Sequence, residues 1–319
     1  MFTRLMFTRL NTPITAGYGQ TGPMHVAITG ATGLIGSSLA TALEAAGHTT
    51  LKIGRSVSGP GTLRWDPANG DLDADGLEGI DAMVHLAGEG IAENKWTDEQ
   101  KRKILESRTV GTELVASTLA GMAEPPSVLV SGSAIGFYGD RGQTELDEQS
   151  ERGQGFLADL VVAWEAATKP AADAGIRVAF ARTGIVMSAD GGALGTMLPF
   201  FKLGIGGRVG NGKQQMSWIS MYDMVQGLIH LLENELAGPV NFTAPNPVSN
   251  NEFTKALGTT LSRPTLLPTP TPALYLMLGK ELARDLLFSS AKILPTVLVD
   301  SGFVFDHPTI EQALASELL

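Results

Sequence analysis

Cysteine is absent from all 319 residues. That excludes disulfides, thiolate metal sites and a cysteine nucleophile, and it fits a reducing compartment, so the cytoplasm is the expected location. Positive charge is in short supply as well: 23 Lys and Arg stand against 33 Asp and Glu, a formal net charge of −10. With no basic stripe, nucleic acid is not expected as a partner, because binding a phosphate backbone requires clustered cations. No apolar run is long enough to span a bilayer, so no membrane partner is expected. The five histidines (His25, His48, His85, His230 and His307) stand apart, with no H-x-H or H-E-x-x-H pair. No metal site is expected.

What is present suffices for a large core, since 43% of the chain is hydrophobic. The start is unusual: Met1-Phe2-Thr3-Arg4-Leu5 repeats at once as Met6 to Leu10, and no acid appears before Pro23. Without an uninterrupted apolar core it does not fit a secretory signal. An Arg-bearing, acid-free start also fits an organelle presequence, a misassigned start or a remnant of upstream sequence. Residues 1–23 are read as a tail outside the fold.

The chain is organised around Val26-Ala27-Ile28-Thr29-Gly30-Ala31-Thr32-Gly33-Leu34-Ile35-Gly36. A β-favouring run enters three glycines at three-residue spacing, and a helix follows over Ser37 to Ala46. Strand, tight turn and helix N-terminus together set backbone N–H groups against a phosphate. Gly30 permits the turn, Gly33 lets backbone approach a pyrophosphate, and Gly36 lets the helix pack on the strand. Thr49 to Gly54 reads as the second strand. In NAD binders an acid at its end takes the ribose hydroxyls, whereas Arg accommodates a 2′-phosphate. This chain has Gly54-Arg55-Ser56 there and no acid. NADP(H) is therefore favoured over NAD.

Strand and helix signals alternate onward: strands at Leu63 to Trp65, Ile80 to Leu86, Ser127 to Gly132, Ile176 to Arg182 and Pro239 to Thr243. Helices are expected at Asp98 to Ala120, Phe156 to Ala174, Tyr222 to Glu233, Asn250 to Leu261 and Pro272 to Phe288. The alternation argues for an α/β fold, a Rossmann-type doubly wound parallel sheet over residues 24–245. Residues 187–219 are expected to contribute to the substrate side, and residues 246–319 to form a smaller C-terminal lobe. Strand ends line the crevice in such a sheet, so Leu86, Ala87 and Gly88 should meet the cofactor, with His85 read as a buried strand histidine. Lys101 and Arg102 read as a solvated basic face. Gly111, in mid-helix, suggests close packing that turns Arg108 towards the crevice. The loop Gly204 to Lys213 lacks a P-loop pattern, since Gln214 follows Lys213, and reads as substrate-side or structural.

Several stretches together resemble an extended short-chain dehydrogenase/reductase: Gly30-x-x-Gly33-x-x-Gly36, Leu86-Ala87-Gly88, Ser133…Tyr138-Gly139 and Arg182-x-Gly184. Finer features include His85-Leu-Ala-Gly-Glu, Trp96…Ser107-Arg108, Ser131-Gly-Ser-Ala-Ile-Gly-Phe-Tyr-Gly-Asp, Trp164-Glu165, Ser217-Trp218-Ile219 and Ala244-Pro245-Asn246-Pro247. They are similar to the atypical branch labelled epimerase family protein, or NADP-dependent oxidoreductase, with a C-terminal domain of unknown function. The resemblance implies NADP contacts from Gly30, Thr32, Gly33, Leu34, Ile35, Gly54, Arg55, Leu86, Ala87, Lys103, Arg108 and Val186. It also implies His after Trp218-Ile219, where this chain has Ser220.

The family's usual proton relay is Tyr-x-x-x-Lys, in which Lys lowers the Tyr pKa. The four tyrosines, Tyr18, Tyr138, Tyr222 and Tyr275, are followed four residues on by Gly22, Gly142, Gln226 and Gly279. No such motif exists, and aligning the helix on Glu165 sets Leu157 and Val161 in the two places. Arg108 stands where the wider family has Asn. Ser133 remains, able to hold a substrate carbonyl, and Tyr138, then Glu89, then Lys103 are the other candidate acids. Two readings follow: an NADP(H)-dependent oxidoreductase or epimerase acting on a small molecule, or a non-catalytic NADP(H)-binding sensor or scaffold that meets a protein partner. A Ser133/His85 hydrolase is a distant third, since no G-x-S-x-G elbow is present.

Overall fold

The computed structural model describes residues 22–319. Gly22 and Pro23 are exposed; the rest of the expected tail, with its repeat and its reading as a presequence, lies outside the described residues. β1 (His25–Thr29) is buried from Val26 onward, as a central parallel strand must be. α1 (Leu34–Ala45) buries Gly36, Leu39, Ala40 and Leu43, the stripe of a helix lying on a sheet. β2 (Thr49–Gly54) pairs parallel with β1, and β3 (Thr62–Asp66) parallel with β2. β4 (Asp71–Leu72) turns back antiparallel at the edge. The chain then crosses to the other side of β1 to form β5 (Ala82–His85). α2 (Asp98–Ala120) starts at Thr97, whose hydroxyl accepts the Gln100 N–H at 3.1 Å.

β6 (Val128–Ala134) pairs with β5, and the short β7 (Glu145–Leu146) lies off the main sheet. The helix expected over Phe156 to Ala174 is two: α3 (Phe156–Ala166) and α4 (Lys169–Asp173). Pro170, in the first turn of α4, has no N–H to continue the earlier ladder. β8 (Arg177–Thr183) pairs with β6, and β9 (Ile185–Met187), α5 (Gly192–Lys202) and β10 (Gln215–Met216) follow. β11 (Trp218–Ser220) pairs with β9, α6 (Met221–Glu233) returns along the sheet, and β12 (Gly238–Phe242) pairs with β8. The large sheet thus has eight strands in the order β12-β8-β6-β5-β1-β2-β3-β4, seven of them parallel.

β13 (Val248–Ser249) and α7 (Asn250–Leu261) open the C-terminal part. Pro272 to Phe288 is broken into α8 (Thr271–Leu278), α9 (Lys280–Ala283) and a π-helical turn at Arg284–Phe288. Gly279, at φ +86°, divides the first two. β14 (Lys292–Ile293), α10 (Thr296–Asp300) and α11 (Ile310–Leu318) complete it. This part does not stand clear of the sheet: Leu298 and Phe303 share one buried cluster with Val26, Ile28 and Phe242. A second cluster joins Leu194, Phe201 and Trp218 to Phe253, Leu257 and Leu314. The glycines of the Gly204 to Lys213 loop serve that packing: a Cβ on Gly207 would overlap the Leu267 carbonyl, and one on Gly210 would lie 3.1 Å from Phe288. Among the described residues, no helix is long and apolar enough to cross a membrane, and no group of three His, Asp or Glu is placed to hold a metal ion.

Candidate functional site

From β1 the chain runs outward to β2 and β3 on one side and to β5, β6 and β8 on the other. The strand order therefore reverses between β1 and β5, and the crevice beyond their carboxyl ends is where a doubly wound sheet binds its ligand. The glycine turn lies there. Gly30 has φ +68°, and a Cβ on it would sit 2.9 Å from the Leu86 carbonyl carbon and 3.0 Å from the Ala87 nitrogen. Gly33 closes the turn by donating to the Gly30 carbonyl at 2.9 Å. A Cβ on Gly36 would run into the Gly30 carbonyl, 2.9 Å from its carbon. Gly33 caps α1 with no side-chain acceptor, and the first turn of α1 holds no acid. Its first N–H groups and the positive end of its dipole are left for an anion.

Across the crevice, Leu86 and Ala87 are half-buried and Gly88 is exposed. The next residue is clamped from α2: the Glu89 N–H donates to Ser107 Oγ at 3.0 Å, and Arg108 Nη1 donates to the Glu89 carbonyl at 2.9 Å. Arg108 lies over the Trp164 ring, 5.0 Å from its centroid, and against Gly88, where a Cβ would be 3.3 Å from Cζ. Burial pulls its guanidinium down to about 10, against the pull of the Glu89 carboxylate. Its Nε–H has no acceptor, and no carboxylate lies within ion-pair distance among the described residues. α2 packs on the sheet at Gly111, where a Cβ would make ordinary contact with Trp65 at 3.4 Å.

Thr32 and Gly33 are exposed, and Leu34, Ile35, Gly54 and Val186 are half-buried, so each keeps surface a ligand can reach. Arg55 is exposed directly after β2, with no acid beside it. Lys103 is on the exposed side of α2, paired with Glu99 one turn earlier at 2.7 Å; that contact raises its pKa. His85 is fully buried, and burial pulls it to about 4, so it is neutral at neutral pH.

Ser133 and Tyr138 belong to a different arrangement. The Ser133 hydroxyl donates to Glu165 Oε1 at 2.6 Å. Arg182 grips the same carboxylate with two hydrogen bonds, at 2.8 and 2.9 Å. Arg182 also donates to the Tyr138 hydroxyl at 3.1 Å, and that hydroxyl donates to Asn241 Oδ1 at 2.7 Å. Tyr138 has no exposed surface, and burial raises its pKa. The expectation of Tyr138 as a proton donor in the crevice is corrected on this point: the hydroxyl is enclosed, with both its donor and acceptor roles taken. The Ser133 proton is likewise committed to Glu165, which leaves only the oxygen's lone pairs for any substrate. Leu157 packs against Gly136, where a Cβ would be 3.1 Å from its own, and Val161 is buried.

No pattern local in the sequence marks this network. Strands β6 and β8 set Ser133 and Arg182 side by side, and a pairing register cannot be read from one strand alone. Only the Trp164-Glu165 and Arg182-x-Gly184 stretches carried any hint of it. Ser220, where the resemblance implies His, caps α6: its oxygen accepts the Asp223 N–H at 3.0 Å. An imidazole still arrives at that spot from elsewhere, with His307 Nδ1 3.1 Å from Ser220 Oγ.

The family model described as "NAD dependent epimerase/dehydratase family" matches residues 26–242, and a "Domain of unknown function (DUF1731)" matches residues 269–317. "Epimerase family protein Mb2239" of Mycobacterium bovis is 43% identical over 291 residues, covering 91% of this chain and 96% of that one. "Epimerase family protein SDR39U1" of Homo sapiens is 35% identical over 295 residues, covering 91% and 98%. The crystal structure of human epimerase family protein SDR39U1 (isoform 2) with NADPH matches with a TM-score of 0.85 at 33% identity, covering 92% of this chain and 99% of that one.

Proposed function

We propose that this chain, which belongs to the NAD-dependent epimerase/dehydratase family, binds NADP(H) across the β1/β5 crevice and uses it on a small molecule as an oxidoreductase or epimerase. The observation that carries the reading is the pairing of two features. One is an anion cradle without an acid at the start of α1; the other is the half-buried guanidinium of Arg108, whose enclosed Nε–H has no acceptor and which has no carboxylate in contact. A buried cation is costly without an anion, and a dinucleotide phosphate is one the crevice can admit. Gly30, Gly33 and Gly36 leave backbone room for it. Exposed Arg55 suits a 2′-phosphate, and the relative crystallised with NADPH supports that choice. Leu86, Ala87, Gly88 and Val186 would provide the apolar walls, and Lys103 stands at the rim. Bound NADPH supplies a hydride; the chain binds and orients it.

A second reading has its own support. The Ser133 and Tyr138 protons are spent inside the protein, and Leu157 occupies close-packed space. That favours a non-catalytic NADP(H)-binding sensor whose bound form meets a protein partner. One series decides. Wild-type protein is titrated with NADPH and NADH and then followed by nicotinamide absorbance with a carbonyl panel. NADPH should bind more tightly than NADH, and Arg55→Asp should weaken NADPH by roughly tenfold or more while NADH changes little. Equal loss of both would refute the 2′-phosphate assignment. Turnover supports the oxidoreductase; tight binding without turnover supports the sensor.

A further inference from the structure

We propose that His85 is a positioning residue for the nucleotide cradle, holding the Thr29 hydroxyl in the one orientation that seats the Leu86–Ala87 peptide beneath the Gly30 turn. The inference rests on the dinucleotide reading above. Thr29 and His85 are register partners on adjacent strands, both without exposed surface. Thr29 Oγ1 and His85 Nδ1 are 2.7 Å apart. The same oxygen accepts the Leu86 N–H at 3.1 Å and the Ala87 N–H at 3.3 Å. A hydroxyl has two lone pairs and one proton. With both lone pairs taken, the proton goes to Nδ1, and the imidazole must carry its own hydrogen on Nε2.

That Nε2 has no partner among the described residues. The His85 ring packs at right angles to the Trp65 ring, with centroids 5.9 Å apart, and beside Gly111 of α2. A buried N–H without an acceptor is destabilising. What the ring contributes in return is the acceptor at Nδ1, which a neutral imidazole keeps and a charged one loses. Burial ensures the neutral form. The consequence reaches the crevice because Gly30 lies against the Leu86–Ala87 peptide so closely that a Cβ on it would be 2.9 Å from the Leu86 carbonyl carbon. Should the Thr29 hydroxyl rotate, the Ala87 N–H loses its acceptor and the Leu86 N–H keeps only the Thr29 backbone carbonyl at 3.3 Å, so the peptide under the glycine turn is held less firmly. His85 itself touches no ligand.

The full chain is tested in two ways: histidine nitrogen NMR without nucleotide, and NADPH titration of variants by nicotinamide fluorescence. The wild-type ring should show the Nε2–H tautomer. His85→Asn keeps an acceptor near Nδ1 and should bind NADPH within about twofold of wild type. His85→Phe and His85→Gln should each bind roughly tenfold more weakly, on the scale of one buried hydrogen bond. Thr29→Val should match that loss, and Thr29→Val with His85→Phe should lose no more, because the two act through one contact. A purely packing role would lower the unfolding temperature of the Asn and Phe variants alike and leave affinity untouched. An Nδ1–H tautomer, unchanged affinity in His85→Phe, or equal losses for Asn and Gln would overturn the inference. If His85→Phe does not fold, the Asn and Gln pair and the tautomer decide. A wild-type protein that fails to bind NADPH overturns the dinucleotide reading instead, and the tautomer is read independently of it.

Discussion

Replacing Glu165 with Ala should cost about 3–5 kcal/mol of folding stability, although it deletes no hydrophobic contact of the sheet. The Glu165 side chain is 11% exposed and that of Arg182 only 5%. With the carboxylate gone, Arg182 keeps the Tyr138 hydroxyl at 3.1 Å and the face of Phe137 at 3.5 Å, but no counter-charge. Ser133 loses the carboxylate that accepts its proton at 2.6 Å. Desolvation and mutual attraction nearly offset each other in a buried pair, so the large loss comes from stranding one partner. Glu165→Leu combined with Arg182→Met should therefore recover much of it. The Ser133 hydroxyl, stripped of its carboxylate acceptor, would leave a deficit of about 1–3 kcal/mol, while Tyr138 loses the Arg182 donor but still donates to Asn241. Urea unfolding at neutral pH, read as a midpoint shift at constant slope, measures both variants. Lys103→Ala, which breaks an exposed pair, is the control and should leave the midpoint in place. A loss below about 1 kcal/mol for Glu165→Ala, or a double variant weaker than the single one, would mean that Arg182 is solvated and the network does not brace the crevice.

Gly36→Ala sets a methyl group against the Gly30 carbonyl carbon at 2.9 Å and Ala31 Cα at 3.0 Å, backbone atoms that cannot turn aside. It should weaken NADPH binding by roughly tenfold or more, for overpacking of about 1–3 kcal/mol; affinity equal to wild type would refute the close-approach role. His85 gives a pH signature. Its pKa falls from 6.5 unfolded to about 4 folded, so between those values the unfolded chain binds the extra proton. Stability is full above pH 6.5 and declines as pH falls towards 4, by on the order of 3 kcal/mol in all. Denaturant midpoints of wild type and His85→Asn, compared across that range, should diverge on the acid side; parallel curves would refute the buried neutral ring.

The fold was legible because its signals are local. Thr49–Gly54, Asp98–Ala120 and Asn250–Leu261 form as their patterns predict, since β-branched runs and an apolar stripe need no knowledge of neighbours. The glycine turn was legible for the same reason. The two broken helices turned on single residues, Pro170 and Gly279, inside otherwise helical patterns. Long-range pairing was the part out of reach. Glu165 lies 32 residues from Ser133, and Asn241 lies 103 from Tyr138. Those contacts exist only because β8 comes between β6 and β12 in the sheet. The interleaving of the C-terminal part with the sheet core is of the same kind, because a composition shift near residue 246 says nothing of where Leu298 will be buried.

Hydride addition to a carbonyl requires a proton at the oxygen, and a donor must reach that oxygen to give it. In this chain the groups that hold a dinucleotide and the groups expected to move a proton have parted. The cradle at Gly30 to Ile35 keeps accessible surface, whereas the Tyr138 hydroxyl has none and donates to Asn241. Ser133 donates to a carboxylate that Arg182 already holds. His85 is neutral, enclosed and bound to Thr29. Of the other candidate acids, Glu89 has its backbone clamped by Ser107 and Arg108, and Lys103 is exposed and paired with Glu99. Any reduction here must take its proton from one of these two, from solvent or from the substrate, and not from the floor of the crevice.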